Sequence, residues 1–389
     1  MLLVPTVAWL LYRLVKHDPI ILEGLASRLS KAMLVYIGLA VAYFIIFSSW
    51  ENGLTTAGVV GLVADTRFFI FFLSTYLVFS GTKKKGISQE IMARVVSIPA
   101  CIVAVIALLQ VTLLPKDILK YFGFTPPKYQ PVLYIDQDNI FLRARSTLRG
   151  PNELGAYLVT PLLLMSRWYA KSKKLYLWLA VLVLALIFSY SRSAAVALLL
   201  AGLIVYSGTI AGLFKHLSRK TWGRVVLLFS GLAVVVALLA VINTNTFSTL
   251  VLHNNRSNSS VGSTGERLNN VGNLVQEAVR HPLGNGLGTS GPASQYGTPN
   301  IPDNYYIQIV QEMGFLGLIA FLCACFYLWK SLHRIHTAEA RIVAACFVGL
   351  MVSNFFLHNW ADDTLSMYFF GLSGWLLAVS KKTSTKSES

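Results

Sequence analysis

Charge is scarce in this sequence. Asp, Glu, Lys and Arg make up 13% of its 389 residues, against ~25% in an ordinary soluble domain. With 55% hydrophobic residues and a mean hydropathy of +0.59, so little charge over such a length excludes a soluble globular protein. Acidic residues are the rarer sign, 17 against 33 basic, leaving a formal charge of +16. The basic residues do not form a tail or one amphipathic face; they fall in short clusters between apolar runs, which argues against a nucleic-acid binder. Cysteine is also sparse. Cys101, Cys323, Cys325 and Cys346 all lie inside apolar runs, where a disulfide framework is not expected and Cys-x-Cys on a helix has the wrong spacing for a metal. The seven histidines are scattered without a His-x-x-x-His, so no metal site and no cofactor is expected. No repeat of 20–50 residues is visible.

What remains is hydrocarbon-soluble. About 20 apolar residues cross a bilayer as a helix, and such runs occur near 2–15, 33–50, 59–80, 95–114, 154–168, 175–190, 193–213, 225–243, 305–329, 341–358 and 364–380. The expected fold is therefore an all-α, polytopic transmembrane helix bundle of about eleven spans. The organisation is 1–243 as helices with an outer loop at 115–153, then a large outer loop at 244–304. Helices at 305–380 and a tail at 381–389 complete it. Most basic residues sit in one alternate set of loops, including Arg13–Lys31, Lys83–Arg94, Arg167–Lys174, Lys215–Arg224, Lys330–Arg341 and the tail. By the positive-inside rule that set, and the C-terminus, is cytoplasmic. The first span is short and Met1 falls outside, so a twelfth helix upstream is expected. The opening lacks the basic region and cleavage site of a signal peptide.

The polar chemistry gathers at the outer ends. The 244–304 loop far exceeds the median connection of ~4–6 residues. Within it, Ser263-x-x-Glu266 is a capping-box pattern followed by apolar residues from Leu268 to Val279 at helical spacing, which predicts an amphipathic helix with Arg267 in its first turn. That helix stops at Arg280-His281-Pro282, before Gly284-Asn285-Gly286-Leu287-Gly288. Alternating glycines suit either close backbone approach to a ligand or a solvated turn. The 115–153 loop ends with Arg143, Arg145 and Arg149 before Asn152; arginine suits bidentate phosphate recognition, with lipid headgroups as the competing partner. Arg192 lies at the tight 189–193 hairpin and Arg67 about two turns inside a span. An intramembrane arginine is by default functional, with snorkelling to the interface the alternative. Arg67, Arg143, Arg145, Arg149, Arg192 and Arg267 together suit a polyanion whose tail stays in the bilayer, and a lipid-linked pyrophosphate fits that description.

In the order and placement of these motifs the chain resembles the O-antigen ligase and polymerase superfamily of bacterial membrane glycosyltransferases. The resemblance rests on Arg149-Gly150-Pro151-Asn152-Glu153-Leu154-Gly155 and Ser191-Arg192-Ser193. It continues with Gly265-Glu266-Arg267 leading to His281–Gly288, and with Asp303-Asn304-Tyr305-Tyr306 before Gly314-Phe315-Leu316-Gly317. These motifs cover roughly residues 60–330. The resemblance implies a multi-pass protein of the bacterial inner membrane with an extracytoplasmic large loop. It implies metal-independent, inverting transfer of a glycan from undecaprenyl pyrophosphate to the hydroxyl of a glycan or lipid-linked acceptor. Arg192 and Arg267 then correspond to the family's diphosphate-holding arginines, and Asp303 stands where a histidine base is usual, a departure that leaves His281 or His358 open as the base. Arg67, Arg145, Arg149, Asn152, His281 and Asn304 are the expected substrate contacts. A ligase is the first expectation and a repeat-unit polymerase the second. A secondary transporter, which tends to show repeated halves and broken helices, and a purely structural membrane protein follow.

Overall fold

The computed structural model describes residues 23–50, 55–81, 89–125, 132–134, 142–170, 175–216, 279–302 and 304–387, with isolated positions between 8 and 16 and at 276. Among them the regular structure is helical, apart from an isolated β-bridge between Tyr134 and Leu142. The helices are α1 (Arg28–Trp50), α2 (Thr56–Gly81), α3 (Gln89–Thr112), α4 (Pro151–Trp168), α5 (Leu175–Phe188), α6 (Arg192–His216), α7 (Tyr305–His333), α8 (Ala338–Ser353) and α9 (Asp363–Ser387).

Four helical stretches are long and apolar enough to cross a membrane: Arg28–Phe47, Thr56–Ser80, Glu90–Thr112 and Tyr305–His333. Leu175–Phe188 and Arg192–Ser207 are apolar but shorter. α4, α8 and α9 coincide with three further expected spans. The span expected near 225–243, most of that near 2–15, and most of the amphipathic helix expected after Ser263 lie outside the described residues, as do Arg267 and Asp303.

Helix starts follow local chemistry. Gly150 and Pro151 open α4 with proline at the first helical position, where its missing N–H costs nothing. Asn304 caps α7, its Oδ1 accepting from the Tyr306 and Ile307 backbone amides. Thr337 does the same for α8 through the Ala340 amide.

Packing then decides which helices touch. α2 lies along α9, α6 along α8, and α7 along α1. Small residues allow the second of these contacts: Ala194, Ala197 and Ala201 of α6 are fully buried, and a Cβ on Gly349 of α8 would collide with the Ala197 carbonyl. In lipid, where apolar burial drives little helix association, such close backbone approach is a main source of packing energy. The α2–α9 seam is aromatic. Phe68 and Phe69 meet Phe370 at ring-centroid distances of 5.0 and 5.4 Å, and Trp360 lies 5.2 Å from Phe370.

The glycine-rich segment after His281 is neither a ligand cradle nor a solvated turn. Gly284, Gly286 and Gly288 all have positive φ (79°, 96° and 80°), and the loop is packed between α2 and α7. Its amides are occupied: Asn285 and Gly286 donate to the Gln311 and Glu312 carbonyls at 2.7 and 3.1 Å. Gly288 donates to Glu312 Oε1 at 2.9 Å. Glycine is required on both sides. A Cβ on Gly61 of α2 would sit 2.5 Å from Gly288 N, and one on Gly284 would sit 2.6 Å from Gly314 N. Gly314 itself breaks α7, with φ 62° and ψ −165°, and Pro282 O takes up the Phe315 amide at 3.2 Å. A helix interrupted within a membrane protein must have its freed backbone groups satisfied by protein; here the glycine loop does so.

Candidate functional site

The hairpin between α5 and α6 supplies the first part of the site. Tyr190 turns the chain with a φ of 51°, an uncommon conformation for a residue with a Cβ. Ser189 Oγ donates to Leu186 O and accepts the Ser191 amide. Ser191 Oγ accepts the Ala194 amide at 3.4 Å, capping α6 so that Arg192 occupies its first turn, half-buried. Orphan amides and the helix dipole make this turn favourable for an anion.

The loop before α4 is tied to that hairpin. The Ala144 amide donates to Phe188 O at 2.8 Å, and Arg143 Nε donates to Ser189 O at 3.0 Å. Arg143 Nη2 also reaches Asn152 Oδ1 at 2.8 Å. Asn152, at the start of α4, is thereby fixed beside the Ser-Arg turn although 40 residues separate Asn152 from Arg192. Arg145 takes a different position from its neighbours. It is 1% exposed; its guanidinium donates to Leu148 O and Arg149 O and lies 4.3 Å from the Phe124 ring centroid. The expected phosphate contact at Arg145 is thus replaced by a scaffold: its guanidinium folds the loop that presents Arg143 and Arg149.

The segment between α8 and α9 supplies the third part. Arg67 Nη2 donates to Ala361 O at 2.6 Å and pairs with Asp363 Oδ1 at 2.5 Å. Arg67 is buried, while the Asp363 side chain is 70% exposed. Asp65, two residues earlier, points elsewhere: its carboxylate accepts from Gln308 Nε2 at 3.5 Å, and Gln308 also reaches Glu312. Arg149 faces the same segment as Arg67, close enough to act electrostatically on His358 and Asp362. Burial, helped by Arg149, pushes the His358 imidazole down to about 4. Burial raises the Asp362 carboxyl to about 6 against the Leu365 amide bond, which opposes it; Glu153 and Asp363 add to the rise. His358 is consequently a neutral imidazole at neutral pH, and its Nε2 is buried without a partner in this structure.

The structure therefore brings Arg143, Asn152 and the Arg192 turn together, and turns Arg67 and Arg149 toward 358–363. Asn304 is next to Asp303 in sequence, but its side-chain oxygen is committed to capping α7. His281 is exposed at the entry of the buried glycine loop. Glu153, Asp362 and Asp363 are not singled out by sequence alone. A signal for the last two is present all the same: adjacent carboxylates in a short connection of an acid-poor protein. The buried Asp65–Gln308–Glu312 cluster is likewise hidden, because Gln308 lies 243 residues from Asp65 and the two converge only in space.

A family model described as O-Antigen ligase matches residues 175–322, a span that carries Arg192, Arg267, His281, Asp303 and Asn304. A curated protein of Salmonella muenchen named O-antigen polymerase is 32% identical over 168 residues, 40% of this chain and 41% of that relative. The matched stretch is thus less than half the length of either chain. The likeness to the O-antigen ligase and polymerase superfamily is borne out by these matches over the stretches they cover.

Proposed function

We propose that this chain is a membrane glycosyltransferase of the O-antigen ligase type, moving a glycan from a polyprenyl diphosphate to an acceptor hydroxyl at the outer membrane face. The observation that carries the reading is the junction at Arg143. Its hydrogen bonds to Ser189 O and Asn152 Oδ1 join the loop–helix motif at 143–152 to the Ser-Arg turn, so two separated motifs form one arginine-rich surface at the end of apolar helices. A diphosphate carries its charge at that surface while its polyprenyl tail stays in lipid, a division of labour that the helix end and its apolar flanks match. The matches carry the names ligase and polymerase, and the ligase reading is the one we adopt.

In the proposed reaction the acceptor oxygen attacks the anomeric carbon as the bond from that carbon to the diphosphate oxygen breaks, inverting the centre. The acceptor proton passes to the base, for which Asp303 is our assignment, and the electron pair leaves on the diphosphate. Arg192 and Arg267 stabilise the charge that develops there, as fixed cations do at a departing oxyanion. Arg143 and Asn152 position the Arg192 turn. Arg67 pins the 358–363 segment, which Arg149 faces. No step requires a metal, since arginine supplies the positive charge.

The test is glycan transfer by the purified protein from a polyprenyl-diphosphate donor in the presence of a chelator, comparing wild type with Asp303→Ala. We expect transfer by wild type and a loss of at least ~100-fold in the variant, the scale of a general base. Full transfer by Asp303→Ala overturns the base assignment. A folded wild type that binds donor and transfers to no acceptor overturns the function.

A further inference from the structure

A second site lies at the opposite end of the bundle, where α3, α4 and α5 diverge. Here an apolar cleft of about 560 Å³ is walled by Ile98, Cys101 and Ile102 of α3, Met165 of α4 and Trp178 of α5. It adjoins a polar cavity of similar volume, lined by Glu90 and Arg94 of α3, Arg167 and Trp168 of α4, and Glu339 of α8. Tyr169 lines both, and one turn of α3 separates Ala93 in the polar cavity from Ser97 in the cleft. The two are one amphipathic site.

We propose that this site holds a zwitterionic aminophospholipid, one acyl chain in the cleft and its phosphate and ammonium in the polar cavity. Three observations select that occupant. The cleft opens on the apolar flank of α3, where Ile98 and Ile102 are more than half exposed, so its surroundings are bilayer and a chain enters sideways without leaving lipid. The polar cavity carries two guanidiniums and two carboxylates. A headgroup that is only anionic would face Glu90 and Glu339, and one that is only cationic would face both arginines; phosphate plus primary ammonium complements both signs of charge. Finally, two donors are buried at the junction without a partner. Ser97 is 6% exposed and its Oγ is unsatisfied, and so is Trp168 Nε1. A buried hydroxyl or indole N–H left unpaired is costly, and the ester and phosphate oxygens of a glycerophospholipid are acceptors at the right place between chain and headgroup.

The geometry assigns roles within that headgroup. Arg167 is exposed and supplies the phosphate contact, for which its planar fork is suited. Arg94 is tied to Glu90 at 2.6 Å by a pair in which both side chains are more than 60% exposed. An exposed i,i+4 pair of this kind is weak, so Arg94 swings to the phosphate at little cost. Glu339, half-buried at the start of α8, takes the ammonium. Trp168, Tyr169 and Trp178 ring the junction as aromatic residues do at a membrane interface. The positive-inside rule puts this end of the bundle on the cytoplasmic side, away from the arginines of the outer face. The lipid is a structural partner, separate from any donor bound outside.

The proposal is tested by native mass spectrometry of the full-length protein released from bilayers of equal phosphatidylethanolamine and phosphatidylglycerol. Wild type should retain one phosphatidylethanolamine in clear preference, and Arg167→Gln should reduce its retention about tenfold. Glu339→Gln should lose the preference and favour phosphatidylglycerol. Cys101→Trp fills the cleft without touching the headgroup cavity and should also lower retention. Circular dichroism and gel filtration establish that each variant is folded. Equal retention of both lipids by wild type, or unchanged retention in the Arg167 and Cys101 variants, overturns the proposal.

Discussion

Arg67 lies about three turns into α2, a position where an unpaired guanidinium is expensive in hydrocarbon. Ala361 O and Asp363 meet it there, so the 358–363 segment is pinned by a buried cation. Removing one partner of a buried charged contact costs ~3–5 kcal/mol, and the exposure of Asp363 to solvent lowers that figure. Arg67→Ala should therefore lower the melting temperature in detergent and release 358–363 to proteolysis; an unchanged melting curve and cleavage pattern would contradict the pinning role. Two neighbouring groups give a prediction in pH. His358, depressed to about 4 from 6.5, favours its neutral form in the fold. Its contribution is complete above pH 6.5 and is lost as pH falls through 4. Asp362, raised to about 6 from 3.8, favours its protonated form; its contribution is complete below 3.8 and is lost as pH rises through 6. Between pH 4 and 6 the two slopes oppose, each at most ~1.4 kcal/mol per pH interval of one. Thermal stability of wild type should be nearly flat in that window with respect to these groups. Asp362→Asn should add a fall on acidification relative to wild type, and His358→Gln a rise. Parallel curves for all three proteins would remove both assignments.

At the scale of elements, the glycine loop and the broken α7 form one unit. Glu312 holds it, accepting the Gly288 amide through Oε1 and facing Gln308 through Oε2. Glu312→Ala strands the buried Gly288 amide, at ~1–3 kcal/mol for an unsatisfied group, and leaves the Gln308 side chain with Asp65 alone. Glu312→Gln keeps an acceptor for Gly288. The alanine variant should unfold several degrees below wild type while the glutamine variant stays close to it, by thermal unfolding in detergent; equal losses would show that charge, not the amide bond, matters there. Gly288→Ala, with a φ of 80° and Ala57 backbone against its Hα, should be worse than either. Glycine alternation is visible in the sequence, but the partners of these glycines lie in α2 and α7, at 57–61 and 311–314. Nothing local distinguishes a loop packed on helices from one open to a ligand. Arg145 is hard to read for a similar reason: its charge is legible, while the carbonyls and Phe124 ring that enclose it depend on how the loop closes. The hairpin at 189–193 is legible because two apolar runs separated by Ser191-Arg192 leave no room for anything longer, and Ser191 then caps the second helix.

The whole molecule reads most clearly from composition. Scarce charge and long apolar runs require membrane helices, and the runs at 33–50, 59–80, 95–114 and 305–329 correspond to the four helices long enough to cross. The shorter α5 and α6 and the remaining helices follow the expected order without themselves fixing a span number. The chemistry at these helix ends is half legible: arginine there announces an anion, but only the fold links Arg143 to Asn152 and Ser189, or turns Arg149 toward His358. The central proposal is that Arg192, on the turn that Arg143 positions, helps hold a lipid diphosphate at the outer face. Its most direct test is the affinity of the purified protein for a fluorescent polyprenyl diphosphate, comparing wild type with Arg143→Ala and Arg192→Ala. Loss of about tenfold or more in affinity for both variants, with the apolar tail unchanged and folding intact, is the predicted result. Donor binding at wild-type strength in both would contradict the account.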